Sequence, residues 1–197
     1  TNSLLVGHAT TGTLSSAEGN TGVGIEALDA ITSGDSNTAF GYRSGTRITT
    51  GINNTGIGDS SLYLNTNGQS NTAMGHQALY ANVDGGNNTA VGRNSLGSTT
   101  GNRNVGIGKS AGSNITSGSG NVVIGAVNTT SATANRQLII AGNDGSTTTT
   151  WISGDSNGQV KLISGYIAEV ALTDASTITW NAATQPVAKV TLGASRT

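Results

Sequence analysis

A repeat of 17 residues is the feature that most constrains how this chain of 197 residues can fold. The segment Asn-x-x-Φ-Gly, where Φ is apolar, recurs in steps of 17 with one step of 16, and its glycines are Gly24, Gly41, Gly58, Gly75, Gly92, Gly108 and Gly125. A second glycine column runs in phase with this first one, at Gly34, Gly51, Gly68, Gly85, Gly101 and Gly118. A fixed period of this length is typical of a solenoid, in which each repeat forms one coil and stacks on its neighbours.

The composition agrees with an all-β solenoid. The chain has 30 glycines, one proline, no cysteine, and only 4% aromatic and 10% charged residues. Gly, Thr, Ser and Asn, which are abundant here, are poor helix formers, so a helical protein is excluded. A net charge of -1 gives no basic footprint for nucleic acid. No apolar run approaches the roughly 18 residues that span a bilayer, so we expect no membrane insertion.

Each coil is predicted to hold two short strands and two turns, with parallel ladders between successive coils. Strands in a sheet lie about 4.8 Å apart, so the eight steps from Gly7 to Gly142 predict a rod of roughly 38 Å. Both glycine columns are interpreted as turn residues at positive φ rather than ligand sites. Asn135, which continues the second column, is the residue that best replaces glycine at such a position.

Residue columns predict which side chains face inward. The residue before each first-column glycine is apolar and is therefore placed inside: Val6, Val23, Phe40, Ile57, Met74, Val91, Ile107, Ile124 and Ala141. A second inward row contains Leu28, Leu62, Leu79 and Leu96, interrupted by Gly45 and Gly112. The column two residues before the glycine is small, as in Gly56 and Ala73, and is interpreted as the place where another chain approaches. Because two apolar rows make a thin core, we expect several chains to associate around an axis.

Two polar columns are the next most regular feature. The Asn column (Asn20, Asn37, Asn54, Asn71, Asn88, Asn104 and Asn121) is interpreted as an amide ladder that satisfies backbone groups. The Thr column (Thr21, Thr38, Thr55, Thr72 and Thr89) would suit an ice-binding solenoid if it faced outward. It lies two residues from the Φ column and therefore shares its face, which is predicted to be packed.

The segments NTAFGYRSG, NTAMGHQALY and NTAVGRNSLG resemble the head repeats of YadA-like trimeric adhesins, a left-handed parallel β-roll. This form is common in phage tail and virion fibres and in bacterial trimeric autotransporter adhesins. The resemblance covers residues 1–142 and implies a homotrimer that presents its surface to a host receptor or matrix. These 197 residues show no membrane anchor, heptad stalk or chaperone domain, so a phage and a bacterial parent both fit.

The period ends at residue 142, and the chain is divided there. Residues 143–165 are interpreted as a neck, and the stretch WISGDSNGQVKL within them resembles a phage fibre segment. Residues 166–197 alternate apolar and polar positions, which predicts a short antiparallel β segment, apparently cut short. This last segment resembles a strand unit of phage virion proteins. Trp151 and Trp180 are expected to fill the neck and C-terminal cores.

No constellation of residues predicts catalysis, a cofactor or a metal site. The segment GIGKS at 106–110 suggests a phosphate loop, but Arg103 stands where that motif needs glycine and no helix is predicted to follow. His8 and His76 share a column but lie about 19 Å apart, too far to share a metal. The carboxylates Asp35, Asp59 and Asp84 fall in different columns, and Glu26 with Asp29 is interpreted as a solvated pair, which disfavours a fibre depolymerase.

The expected function is therefore a structural and adhesive virion fibre segment that supports host attachment. Its expected partners are two further copies of itself, other virion or fibre proteins and a host surface receptor, of which a glycan is one class. The alternative is the head of a bacterial adhesin on the cell surface. Aromatic and Arg side chains are enriched at binding hot spots, and the receptor-contact candidates are Tyr42, Arg43, Arg47, Tyr63, Tyr80, Arg93 and Arg103.

Overall fold

The computed structural model describes residues 3–6 and 16–162, and this part of the chain is all-β with no helix. It forms a parallel β-solenoid of about eight coils. The strands are β1 (Leu4–Val6), β2 (Thr21–Val23), β3 (Thr38–Phe40), β4 (Thr55–Ile57), β5 (Thr72–Met74), β6 (Thr89–Val91), β7 (Val105–Ile107), β8 (Val122–Ile124), β9 (Leu138–Asn143), β10 (Thr148–Gly154) and β11 (Val160–Leu162). One sheet contains them all in sequence order.

The period predicted from the glycine columns sets the strand register. Strands β1 to β9 pair in parallel, and each residue pairs with its equivalent one coil later, as Gly56 does with Ala73. The step of 16 is absorbed without a change of register, since Thr89 pairs with Val105. The missing residue falls between Gly92 and Gly101, on the side of the coil away from the strand.

The predicted second strand of each coil is wrong, because a run of turns takes its place. In the coil of β4, the residues two and four positions after the first-column glycine, Ser60 and Leu62, have φ values of 55° and 53°. Leu79 occupies the equivalent place with φ 51°. This left-handed position explains the interruptions of the Leu column, since Gly45 and Gly112 have φ 60° and 59° there. The backbone of leucine is strained at positive φ, and burial of its side chain offsets this strain.

The two glycine columns are constrained in different ways. Gly75 in the first column has φ 129°, and a Cβ there would stand 2.7 Å from the carbonyl carbon of Gly92. Gly51 in the second column has no positive φ, and neither does Asn135, so that part of the prediction is wrong. A Cβ on Gly51 would instead stand 2.5 Å from the carbonyl oxygen of Gly68. Close stacking of successive coils, rather than backbone angle, therefore requires glycine in the second column.

The prediction of which strand residues face inward is reversed in strands β1 to β8, whereas Ala141, the last residue of the predicted column, is buried as predicted. The small column lies inside, with Ala39 and Ala73 at most 1% exposed, whereas Phe40 is 58% and Met74 42% exposed. The coil encloses little space: a Cβ on Gly56 would already come within 2.7 Å of the Ser44 hydroxyl. Larger side chains therefore point outward, and the core is completed by the buried Leu column and by isoleucines. The small column fills the coil and is not where another chain approaches.

The Asn column forms the predicted amide ladder, and its members are at most 1% exposed. In a typical step, Asn37 donates its backbone N–H to Asn20 Oδ1 at 2.9 Å. Its Nδ2 donates to the same oxygen at 3.0 Å and to the carbonyl of Gly51 at 2.8 Å. The ladder ends at Gln137, whose N–H donates to Asn121 Oδ1 at 2.8 Å. Each asparagine thus connects successive coils through hydrogen bonds that are shielded from water.

Strands β9 to β11 end the described part as an antiparallel meander. The predicted boundary at residue 142 falls inside β9, because Leu138–Ile140 continue the parallel ladder while the strand already pairs with β10. Trp151 lies over Gly142 and is 52% exposed, so its predicted place in a core is wrong. His8, residues 163–165, and the predicted β segment 166–197 with Trp180 lie outside the described residues.

Candidate interaction surfaces

The outward side of strands β2 to β8 is a flat surface, which we call the strand face. It consists of Thr21, Val23, Thr38, Phe40, Thr55, Ile57, Thr72, Met74, Thr89, Val91, Val105, Ile107, Val122 and Ile124, all half-buried or exposed. Thr and Φ columns do share a face, as predicted, but it is exposed in the single chain. Ice binding was disfavoured above because this face was predicted to be packed, and its exposure removes that argument. A continuous apolar row of this kind marks an interaction surface.

Charged residues flank the strand face on two edges. The first edge contains the residues two and three positions before each strand, and the second edge contains those two and three positions after it. On the second edge, Arg43 Nε donates to Glu26 Oε2 at 2.6 Å, and this hydrogen bond raises the pKa of Arg43. His76 Nε2 lies 3.5 Å from Asp59 Oδ1 on the same edge. Both pairs join residues of adjacent coils.

The receptor-contact candidates fall into two groups and two separate residues. Tyr63 and Tyr80 stack on the turn side with ring centroids 5.2 Å apart, and the Arg47 guanidinium lies 5.7 Å from the Tyr63 ring centre. Tyr42 is 43% exposed, and the guanidinium of Arg43 lies 4.8 Å from its ring centre.

The remaining two candidates do not join these groups. Both are exposed: Arg93 is on the second edge and Arg103 on the first. The seven candidates therefore do not form one site.

Groups that could carry chemistry are dispersed. In the described ranges 3–6 and 16–162, no three His, Cys, Asp or Glu residues come together as metal ligands. The GIGKS segment consists of the end of β7 and the turn that follows, like its equivalents in other coils. Asp84 accepts a hydrogen bond from Asn67 Nδ2 at 2.9 Å. In the turn after β9, hydrogen bonds from Thr147 and Ser146 lower the pKa of Asp144 to about 2.

Sequence reasoning missed the strand face, although a signal for it was present. The alternation of small Gly or Ala with larger Val, Ile, Phe or Met in strands β2 to β7 leaves only one of the two sets inside. A coil of 17 residues that also encloses a Leu and an Asn column has room for the small set alone. The size of the side chains, rather than their hydrophobicity, decides the orientation.

No protein-family model, curated protein or solved structure matches this chain. Within the described residues, no helix is long and apolar enough to cross a membrane. The proposals below therefore depend on the geometry of the roll and on the resemblance of its repeats.

Proposed function

We propose that this chain is a structural and adhesive fibre segment of a virion, assembled as a parallel homotrimer and without catalysis. The observation that carries the proposal is the strand face. It exposes a row of apolar side chains, one from each of strands β2 to β8, along the length of the rod. Three copies with their strand faces toward a common axis would cover this row completely.

The energetics support such an assembly. Full burial of a Val, Ile, Phe or Met side chain contributes about 1.5–3 kcal/mol. Phe40, Ile57, Met74 and Ile107 are between 38% and 58% exposed, so each has roughly half of this still to gain. Because parallel coils repeat in register, equivalent residues of three chains would meet at the same height. A contact that is favourable in one coil would then recur along the rod.

The adhesive part of the proposal comes from the opposite side of the coil. With strand faces at the axis, the turn side points outward, and it carries the stacked, half-buried Tyr63 and Tyr80 beside the exposed Arg47. Aromatic and Arg side chains are common at binding hot spots. We therefore assign the turn side to contact with a host receptor, and the ends of the rod to other virion or fibre proteins.

The test is the state of association of the whole chain and of strand-face variants. We expect a trimer in sedimentation equilibrium, and a shift to monomers for Met74→Asp combined with Ile107→Asp. The β-sheet circular dichroism of the monomeric variant should remain, because neither side chain is inside the coil. Ser98→Asp, which adds a charge at an exposed turn-side position, is the matched control and should leave the trimer intact. A parent chain that stays monomeric at micromolar concentration would sink the proposal.

One observation favours a second function, which is ice binding. The Thr column lies on the outward face at regular spacing, and a monomer would leave it free. Thermal hysteresis in the parent chain, absent in Thr38→Leu combined with Thr72→Leu, would support this alternative. A bacterial adhesin head would share the trimer and differ in the flanking gene sequence, which would encode a signal peptide and a membrane barrel.

A further inference from the structure

Charge is unevenly distributed along the coil stack. Residues 16–85 contain six acidic and two basic residues, for a net charge of -4. Residues 86–142 contain no acidic residue and four basic ones, for a net charge of +4: Arg93, Arg103, Lys109 and Arg136. All four basic residues are exposed. The near-zero charge of the whole chain therefore hides a basic band near the end of the roll.

The band places like charges side by side. Arg93 and Lys109 are on the second edge in adjacent coils, about 4.8 Å apart along the stack. Arg103 and Arg136 are on the first edge, two coils or about 10 Å apart. Like charges on neighbouring strands are destabilising. Earlier on the second edge, adjacent coils instead carry opposite partners, Glu26 with Arg43 and Asp59 with His76.

The side chains of the band also lack acidic partners. Arg93, Arg103 and Lys109 make no side-chain hydrogen bond or ion pair within the described part of the chain. Arg136 donates only to the carbonyl of Ser156, at 3.2 Å. The nearest acidic residues in the sequence after the band are in the β9–β11 meander, where the Asp144 carboxylate already accepts hydrogen bonds from Ser146 and Thr147.

The acidic half of another copy is a poor partner for the band, because several of its carboxylates already have partners in their own chain. Glu26 pairs with Arg43, and Asp59 lies beside His76. Asp35 accepts the backbone N–H of Glu18 at 2.7 Å. The four cations of the band thus form a cluster of like charge, which favours binding of an anionic partner from outside the chain.

The proposed trimer would bring the two edges together. Within one chain, Arg103 and Lys109 are six residues apart across the strand, a distance of about 20 Å. With strand faces at a common axis, the first edge of one copy adjoins the second edge of the next. We call each of these three junctions a seam. Each seam then contains four cations along about 15 Å of its length. Beside Lys109, an open depression of ≈ 560 Å³ lined by Asn128, Asn143 and Thr148 adds polar groups to the seam.

We propose that these basic seams bind a linear anionic polysaccharide, whose repeated carboxylate, sulfate or phosphate groups match the spaced cations. This inference rests on the proposed trimer and gives it a second contact surface, separate from the turn side. Residues 86–142 contain no Phe, Tyr or Trp. Binding of single-stranded nucleic acid depends on aromatic stacking as well as on charge, so a polysaccharide fits the band better.

Heparin, a sulfated polysaccharide, is the probe, and affinity is measured against salt concentration with the whole chain. We expect the parent trimer to bind and Arg93→Gln combined with Lys109→Gln to bind at least about tenfold more weakly, with a shallower salt dependence because fewer counterions are released. The control is Lys161→Gln, which removes an exposed positive charge outside the band. It should bind like the parent.

Sedimentation of each sample separates the possible failures. A trimer that does not bind heparin, or one that loses equal affinity in the double variant and in the Lys161→Gln control, overturns this inference and leaves the assembly standing. Equal affinity for single-stranded DNA at the same salt concentration also overturns it, as does salt-sensitive association beyond the trimer that requires Arg93 and Lys109. A monomeric parent overturns the seams together with the proposed trimer.

Discussion

The interior columns and the strand face belong to the same strands. The interior side chains have their contacts within the chain, whereas those of the strand face are left exposed. In β5 and the residue before it, the side chains alternate strictly: Asn71 and Ala73 point inward and are fully buried, while Thr72 and Met74 point outward. The inward pair has a complete set of contacts within the chain. The outward pair forms an equally regular row that is still open. Regular repetition in a solenoid therefore does not by itself distinguish inside from outside.

The largest difference between interior and strand face is expected for Asn71→Ala, which removes a buried side chain of the amide ladder. Asn71 Oδ1 accepts the backbone N–H of Asn88 at 3.0 Å, and its Nδ2 donates to the carbonyl of Gly85 at 2.8 Å. Alanine leaves the Asn88 N–H buried without an acceptor, and we expect a loss of about 3 kcal/mol in the free energy of unfolding. Urea denaturation followed by circular dichroism measures it.

Thr72→Ala, one residue further on, is the matched control for Asn71→Ala. It should cost about 0.5 kcal/mol or less, because it removes only an outward side chain. Equal losses at the two positions would mean that the amide ladder does not stabilise the stack.

A smaller effect is expected from Ala73→Leu. The Ala73 side chain lies in the coil interior and is fully buried. Three added carbons have no space there, so overpacking should lower the free energy of unfolding by about 2 kcal/mol. Met74→Leu has a similar volume and an outward position, and it should leave coil stability within about 0.5 kcal/mol. Thermal melts of both variants under the same conditions test this pair, and a larger loss for Met74→Leu would reverse our assignment of inside and outside.

The smallest effect concerns the exposed turn at Asp144. Unlike the side chains of the strand face, its carboxylate already has hydrogen-bond partners within the chain. Hydrogen bonds from Thr147 and Ser146 lower the pKa of Asp144 from 3.8 to about 2. The folded form is therefore favoured by the charged carboxylate above pH 3.8, and this contribution is lost as the pH falls through about 2. We expect the amide proton shifts of Ser146 and Thr147 to titrate with that low midpoint, without unfolding of the coils. Asp144→Asn should abolish the titration, and a midpoint near 3.8 would contradict the assignment.

The sequence was sufficient for the period, the register from β1 to β8 and the amide ladder, because each depends on residues that repeat at one spacing. The predicted continuation of the glycine columns to Gly142 and Asn135 was one residue out, because Ile124 pairs with Ile140 after a step of 16. It was misleading for Phe40 and Met74, since an apolar residue was assumed to face the interior of its own chain. The second strand was also mispredicted. Gly45 and Gly112 in the Leu column were the signal of a left-handed backbone there, but Leu62 and Leu79 at the same place concealed it. Trp151 was placed in a core only because its side chain is large, and no neighbouring residue in the sequence indicates that it is exposed.

The short coil between Gly92 and Gly101 has a consequence for the gene. A residue was lost on the turn side and the strands still meet in register, as Thr89 with Val105 shows. Removing or duplicating a whole coil should disturb the fold even less, because adjacent coils would still stack through the same kind of contacts. Gain or loss of whole repeats in the gene would then yield folded products whose lengths differ by multiples of 17 codons. The length of the solenoid could thus change in increments of about 5 Å without any new kind of contact.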